Sequence, residues 1–141
     1  MSVALYAPGD DFQSTVQRIL HLRNCDTEKH LVRRFVSFHI YFESNFSPVN
    51  FEQDFDELEK SFLCDNTTQL IGFARNQTFK ARNDLLYPVN VGRNLAREAA
   101  LTHFVFVNDI ELYPSLGFVD SFFKMLINYP KIKMERKLPE K

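Results

Sequence analysis

Residues 87–117 read YPVNVGRNLAREAALTHFVFVNDIELYPSLG, and this stretch carries most of the information about the fold. Its first half has the spacing of a helix. Its second half, from His103 to Asn108, is an apolar run that is typical of a buried strand. Asp109 and Glu111 follow that run directly. Because side chains two residues apart in an extended chain point to the same side, we expect both carboxylates to converge at the carboxyl end of a strand.

The acidic pair, Asp109 and Glu111, suits a divalent cation. Ligands of open α/β sheets bind at the carboxyl ends of the strands, and paired carboxylates there suit Mg²⁺ or Mn²⁺. Such an ion can grip a diphosphate and stabilise it as a leaving group. Acidic residues after a strand are also common in turns and helix caps, and Pro114 and Ser115 follow closely. The Asp-x-Glu pattern alone therefore leaves both interpretations open.

The predicted helix before that strand has two unlike faces. Its polar face consists of residues at helical spacing, Asn90, Arg93, Asn94 and Arg97. Its apolar stripe consists of core-type residues, Val91, Leu95 and Ala99, with Ala96 and Ala100 beside them. Asn and Arg side chains can donate hydrogen bonds to a nucleotide sugar and its phosphates. The pattern alone also fits a solvated face with surface ion pairs.

The rest of the chain predicts strands that alternate with helices. Strands are expected over residues 3–7, 31–43 and 70–74, and helices are expected to begin near residues 10, 51 and 118. The first helix, capped by Asp10 or Asp11, has apolar residues at helical spacing, Phe12, Val16, Ile19 and Leu20. This alternation predicts an α/β fold with a mostly parallel sheet.

The stretch from residue 87 to 117 resembles glycosyltransferase family 49, which includes β-1,4-glucuronyltransferases. Members carry a Tyr-Pro-x-Asn-x-x-Arg-Asn-x-Ala-Arg block, then a hydrophobic strand that ends in Asp-x-Asp, then Pro-Ser-x-Gly. The matching residues of this chain are Tyr87, Pro88, Asn90, Arg93, Asn94, Ala96, Arg97, Glu98, Asp109, Pro114, Ser115 and Gly117. One residue departs from the pattern, because Glu111 stands where the glucuronyltransferases have Asp and is one methylene longer.

The resemblance implies a GT-A type nucleotide-diphosphosugar transferase fold, which is Rossmann-like with a mostly parallel sheet. It also implies Mn²⁺ (or Mg²⁺) held by Asp109 and Glu111. The UDP-sugar donor, with glucuronic acid as the sugar, would be bound by Asn90, Arg93, Asn94, Arg97 and Asp109. The acceptor would be a glycan of the dystroglycan type. No residue of this chain is identified as the catalytic base.

The resemblance also bears on the domain organisation. Residues 1–130 are expected to form the donor-binding half of a GT-A domain, and residues 131–141 a polar, basic tail. Family members continue into acceptor-binding elements, so the chain is expected to be a truncated fragment whose own activity is open. They also carry a Golgi membrane anchor. A membrane would therefore be reached only through an anchor that is absent from this chain.

Composition and sequons bear on partners and compartment. The chain is 45% hydrophobic and 25% charged with a formal net charge of −1, which is typical of a globular domain and argues against a general nucleic-acid binder. Neither a signal peptide nor an apolar run long enough to span a membrane is visible. Asn66 and Asn76 are candidate N-glycosylation sites, whereas Pro48 disfavours the sequon at Asn45.

With the resemblance, these sequons imply the Golgi lumen or membrane. In that compartment Cys25 and Cys64 can form a disulfide, although two buried free thiols fit the sequence equally well.

Other classes of protein fit parts of the pattern. A flavodoxin-like or response-regulator-like module would use the acidic pair for Mg²⁺ and phosphate chemistry, but residues 7–10, Ala-Pro-Gly-Asp, supply no matching acidic cluster. A non-catalytic nucleotide-sugar-binding or lectin-like remnant would keep the fold and lose the metal. A small domain with a purely structural role is also compatible with the sequence. Metal-dependent binding of UDP would separate a transferase from these alternatives.

Overall fold

The computed structural model describes residues 1–25, 31–49, 55–64 and 77–128. Its elements in chain order are β1 (Ser2–Tyr6), α1 (Asp11–Asn24), α2 (Leu31–Phe35), β2 (Ser37–Tyr41), a 3-10 turn (Ser44–Phe46), α3 (Phe55–Ser61), α4 (Phe79–Arg82), α5 (Val89–Glu98) and α6 (Phe118–Asn128). The chain divides into two compact units, Met1–Asn108 and Asp109–Lys141. Among the residues described, no helix is long and apolar enough to cross a bilayer.

The sheet of the first unit is parallel. β1 pairs with β2 along its whole length, with Ser2 opposite Ser37 and Tyr6 opposite Tyr41. Parallel neighbours need a crossover connection, and here α1 and α2 lie between the two strands in the chain. The prediction of an α/β fold with a parallel sheet is therefore confirmed for the part of the chain that the structure describes.

The core lies between α1 and one face of the sheet. Phe12, Val16 and Leu20 are buried, and partly buried apolar side chains pack against them, Ile40, Phe42, Leu58 and Phe62. The spacing of four residues places the three buried side chains on one stripe of the helix, as the sequence predicted. Burying a side chain of this size stabilises the fold by about 1.5–3 kcal/mol.

The opposite face of the sheet carries α5. Gly92 is the buried residue of this helix, and it lies against Tyr41. Because neighbouring strand residues point to opposite faces, Tyr41 faces away from Ile40 and the α1 core. Val91, predicted to be in the apolar stripe, is instead 55% exposed. That prediction was wrong because the helix approaches the sheet through its glycine, which turns Val91 outward.

Two predicted strands differ from the structure. The strand predicted over residues 31–43 was too long, because Leu31–Phe35 is a helix and only Ser37–Tyr41 is extended in the sheet. No strand forms over His103–Asn108, where the chain is irregular and Val105, Phe106 and Val107 are 41–58% exposed. A short apolar run does not specify a partner strand, and among the described residues only β1 and β2 pair.

Several predictions fall outside the described residues. They are the strand over 70–74, the sequons at Asn66 and Asn76, and the tail 131–141. The predicted helices that begin near residues 10 and 118 are confirmed as α1 and α6. Of the helix that was predicted to begin near residue 51, the described part is α3, which ends at Ser61.

Candidate functional site

Three tyrosines meet at the carboxyl end of the sheet, where open α/β sheets bind ligands. Tyr6 and Tyr41 end their strands opposite each other, and their ring centroids lie 5.4 Å apart. The ring of Tyr87, just before α5, lies 6.0 Å from that of Tyr6. We call Tyr6, Tyr41 and Tyr87 the tyrosine cluster. It was missed in the sequence because it depends on strand register, although Tyr6 and Tyr41 each lie near the end of a predicted strand.

Burial and a carboxylate keep the phenols of Tyr6 and Tyr41 protonated. The Tyr6 hydroxyl donates to Oε2 of Glu43 at 2.6 Å. Burial, the hydrogen bond to Glu43 and the negative charge of Glu43 together raise the pKa of Tyr6 to about 12, with burial the largest cause. Burial also raises the pKa of Tyr41, reinforced by its hydrogen bond with Tyr87. Near neutral pH these hydroxyls therefore act as hydrogen-bond donors and not as bases.

The loop after β1 is fixed to α4. The Asp11 carboxylate accepts from the backbone N–H groups of Phe79 at 2.7 Å and Lys80 at 3.0 Å. Gly9 has φ +53 and lies against the Phe79 ring, a backbone conformation that suits glycine. Arg82 pairs with Asp10 at 2.6 Å. These contacts tie the carboxyl end of β1 to the segment that leads into Tyr87 and α5.

This geometry corrects the predicted cap of α1. Asp10 occupies the N-cap position, but its side chain makes no capping hydrogen bond to α1. Its carboxylate pairs with Arg82 instead. The Asp11 carboxylate caps α4, a helix distant in sequence, so local spacing could not reveal its role.

The helix α5 begins beside the tyrosine cluster and carries an exposed polar face. Asn90, Arg93, Asn94 and Arg97 are all exposed. The Tyr41 hydroxyl donates to the Pro88 carbonyl at 3.4 Å, so the first turn of α5 lies at the carboxyl end of β2. The four side chains are thus displayed from a helix that is anchored to the sheet. Their role in binding a donor stays a prediction.

The acidic pair occupies a turn in the second unit. The Leu112 backbone N–H donates to the Asp109 carbonyl at 3.0 Å, which closes the turn through Ile110 and Glu111. The expectation that both side chains lie at the end of a strand was therefore wrong, because the argument from alternation applies only to an extended chain. Asp109 is half-buried and Glu111 is exposed.

The donor chemistry of the acidic pair still fits a hard divalent ion. Asp109 and Glu111 offer carboxylate oxygens, and Mg²⁺ commonly combines one or two carboxylates with water and substrate phosphates. No group of three or more His, Cys, Asp or Glu residues that could hold a metal occurs within the described ranges. Binding of Mn²⁺ or Mg²⁺ by Asp109 and Glu111 stays a prediction.

The two cysteines are joined in a disulfide. Cys25, which follows α1, and Cys64, which follows α3, have Cα atoms 5.5 Å apart. Nearby, the Arg23 guanidinium contacts the Glu59 carboxylate at 3.1 and 3.4 Å, and the Asn24 side chain donates to the Glu59 carbonyl at 2.9 Å. The disulfide and these polar contacts hold α3 against the end of α1.

Comparison with known proteins agrees with the sequence motifs. No significant match was found among curated proteins or among solved structures. A family model described as "Glycosyl-transferase for dystroglycan" matches residues 1–140, which is nearly the whole chain. The chain therefore belongs to this glycosyltransferase family, family 49, which the motif between residues 87 and 117 resembles.

Proposed function

We propose that this chain binds a UDP-sugar and takes part in transferring the sugar, glucuronic acid, to a glycan acceptor of the dystroglycan type. The observation that carries the proposal is the family match over residues 1–140. In such a transfer an acceptor hydroxyl forms the new glycosidic bond while the bond from the anomeric carbon to UDP breaks. The hydroxyl proton passes to a general base. We assign no residue of this chain to that role.

The polar face of α5 is the proposed donor site. Arg93 and Arg97 supply cationic N–H groups that suit phosphate oxygens, and Asn90 and Asn94 supply amide donors for the sugar and ribose. The proposal is supported by the exposure of all four side chains. It is also supported by the anchorage of α5 at the carboxyl end of a parallel sheet, the usual ligand edge of such folds. A GT-A architecture agrees with helices on both faces of β1 and β2.

Asp109 and Glu111 are the proposed ligands of Mn²⁺ (or Mg²⁺). When bound, such an ion neutralises the charge that develops on a departing diphosphate. The role of the protein at this turn would be to hold two carboxylates in place. Asp109 is half-buried, and its backbone carbonyl is fixed by Leu112, so its main chain is already constrained before any ligand arrives.

A lumenal, Golgi location is part of the proposal. Disulfides persist in the oxidising secretory pathway and are rare in the cytosol, and Cys25 and Cys64 form one. The sequons at Asn66 and Asn76 agree with the same compartment.

A non-catalytic nucleotide-sugar-binding or structural role is the second candidate. The observation that favours it is the turn at Asp109 and Glu111, which does not provide a third protein ligand among the described residues. In this case the face of α5 would still bind a nucleotide, but without dependence on a metal.

Calorimetric titration of UDP separates the two candidates. The wild-type chain is titrated with Mn²⁺ and with a chelator, beside Asp109→Ala and a matched control, Asp120→Ala, which removes an exposed acid of the same unit. We expect metal-dependent binding that Asp109→Ala abolishes and Asp120→Ala retains. Binding that ignores the chelator would favour the non-catalytic role. A folded wild-type chain that binds no UDP would refute the donor site.

A further inference from the structure

Gly92 lies where α5 crosses the sheet. A Cβ atom added at this position would be 2.5 Å from the Tyr41 hydroxyl oxygen, 3.1 Å from Cζ and 3.2 Å from Cε1. Carbon atoms in contact normally stay about 3.5–4.0 Å apart. The Tyr41 hydroxyl therefore occupies the space that any other residue at position 92 would need.

The Tyr41 side chain is held in place from several sides. Its backbone is fixed by the pairing with Tyr6 and by the Ala7 N–H, which donates to the Tyr41 carbonyl at 3.0 Å. Its ring packs at 5.4 Å against Tyr6, whose hydroxyl is in turn bound to Glu43. Because these contacts restrain Tyr41, a larger residue at position 92 would displace α5 rather than the tyrosine.

We propose that Tyr41 and Gly92 form a notch that fixes the position of α5 on the sheet, which makes Gly92 a positioning residue for the nucleotide diphosphate site on α5. Asn90 and Arg93 flank Gly92 on the same helix, so a shift at position 92 moves both. The part of the inference that concerns the ligand rests on the proposed function. The notch itself rests only on the contacts between α5 and the sheet.

The direction in which Gly92→Ala changes the melting temperature tests the notch. Alanine is a better helix former than glycine, so Gly92→Ala on an open helix face would raise thermal stability. At the notch we expect Gly92→Ala to lower the melting temperature. Tyr41→Phe removes the atom of closest contact, together with its hydrogen bonds to the Pro88 carbonyl at 3.4 Å and with Tyr87. When Tyr41 is replaced by phenylalanine, we therefore expect Gly92→Ala to lower the melting temperature less, or to raise it.

Affinity for UDP with Mn²⁺ tests the positioning role. We expect Gly92→Ala to weaken binding about tenfold or more, because small misplacements of binding groups have large effects. The double variant should recover most of this loss. Val16→Ala is the matched control, because it destabilises the α1 core on the other face of the sheet and should leave affinity unchanged.

The outcomes are distinguishable. A rise in melting temperature for Gly92→Ala alone would overturn the notch. A fall in melting temperature with unchanged affinity for UDP would overturn the positioning role. If the wild-type chain binds no UDP, the proposed function fails and the positioning role fails with it, whereas rescue of the melting temperature by Tyr41→Phe would still establish the notch.

Discussion

Glu111 is the residue at which this chain departs from the Asp-x-Asp pattern that the resemblance implies. If a metal ligand at this position needs only a carboxylate, Glu111→Asp should retain metal-dependent binding of UDP. Glu111→Gln keeps the size of the side chain and loses its charge, so we expect it to weaken binding in Mn²⁺ more than Glu111→Asp does. Calorimetry in the presence of Mn²⁺ gives the comparison. Equal affinity for Glu111→Gln and wild type would exclude Glu111 as a ligand.

The hydroxyl of Tyr6 makes stability sensitive to alkaline pH. Its pKa is about 12 in the folded chain and about 10 in an unfolded one. The folded state thus favours the neutral phenol. The resulting stabilisation is complete below a pH of about 10 and is lost as the pH rises through about 12. We expect the free energy of unfolding to fall over this range, and to fall less steeply in Tyr6→Phe.

Urea unfolding at several alkaline pH values measures the slope of the free energy of unfolding against pH. Tyr113→Phe is the matched control, because Tyr113 is 90% exposed and its removal should leave the slope as in the wild type. Equal slopes for Tyr6→Phe and wild type would show that the contact with Glu43 does not couple folding to the ionisation of Tyr6.

Among the helices, α4 depends on a residue far away in the sequence. Asp11→Ala removes the acceptor for the N–H groups of Phe79 and Lys80, and loss of such a cap costs about 0.5–2 kcal/mol of unfolding free energy. Asp10→Ala removes only the exposed ion pair with Arg82, which is expected to contribute about 0–1 kcal/mol. We therefore expect Asp11→Ala to be the more destabilising change.

Hydrogen exchange at residues 79–82, together with urea unfolding, tests this order. Faster exchange in Asp11→Ala than in Asp10→Ala would support the cap. If both variants exchange and unfold alike, the two hydrogen bonds from α4 to Asp11 contribute no more than a surface ion pair.

The attachment of α3 to α1 depends on the disulfide. Cys25 and Cys64 are separated by 39 residues, and a cross-link over such a loop stabilises a fold by about 4 kcal/mol in the chain-entropy model. We expect replacement of both cysteines by serine, or reduction, to lower the free energy of unfolding by about that amount. Urea unfolding of the oxidised and reduced chain gives the value. No change on reduction would mean that Arg23 and Glu59 suffice to hold α3.

For the chain as a whole, the sequence predicted those elements that are encoded by the spacing of nearby apolar residues. The helix with Phe12, Val16 and Leu20 formed as expected, because its apolar stripe is encoded by local spacing and packs into one core. The apolar run His103–Asn108 did not form a strand, because ladder hydrogen bonds depend on a partner that no local pattern specifies. The residue types of the candidate site were recognisable from the motif.

The packing of that site was not recognisable, because it arises from long-range register. Tyr6 and Tyr41 become neighbours only once β1 and β2 pair, and Gly92 is buried where α5 meets Tyr41 on the sheet. A helical wheel of α5 does not show that Gly92 is buried against the sheet while Val91 is exposed. The polar face of α5 was predicted from helical spacing alone, and its four residues are exposed.

The two units should differ in local stability. In the first unit, α1 buries Phe12, Val16 and Leu20, whereas α6 in the second unit buries no residue. Amide protection follows burial and contact density. We expect the backbone of Phe118–Asn128 to exchange much faster than that of Asp11–Asn24 in hydrogen-exchange mass spectrometry. Equal protection of both helices would contradict this expectation, since it would require α6 to be stabilised by contacts as extensive as those of α1.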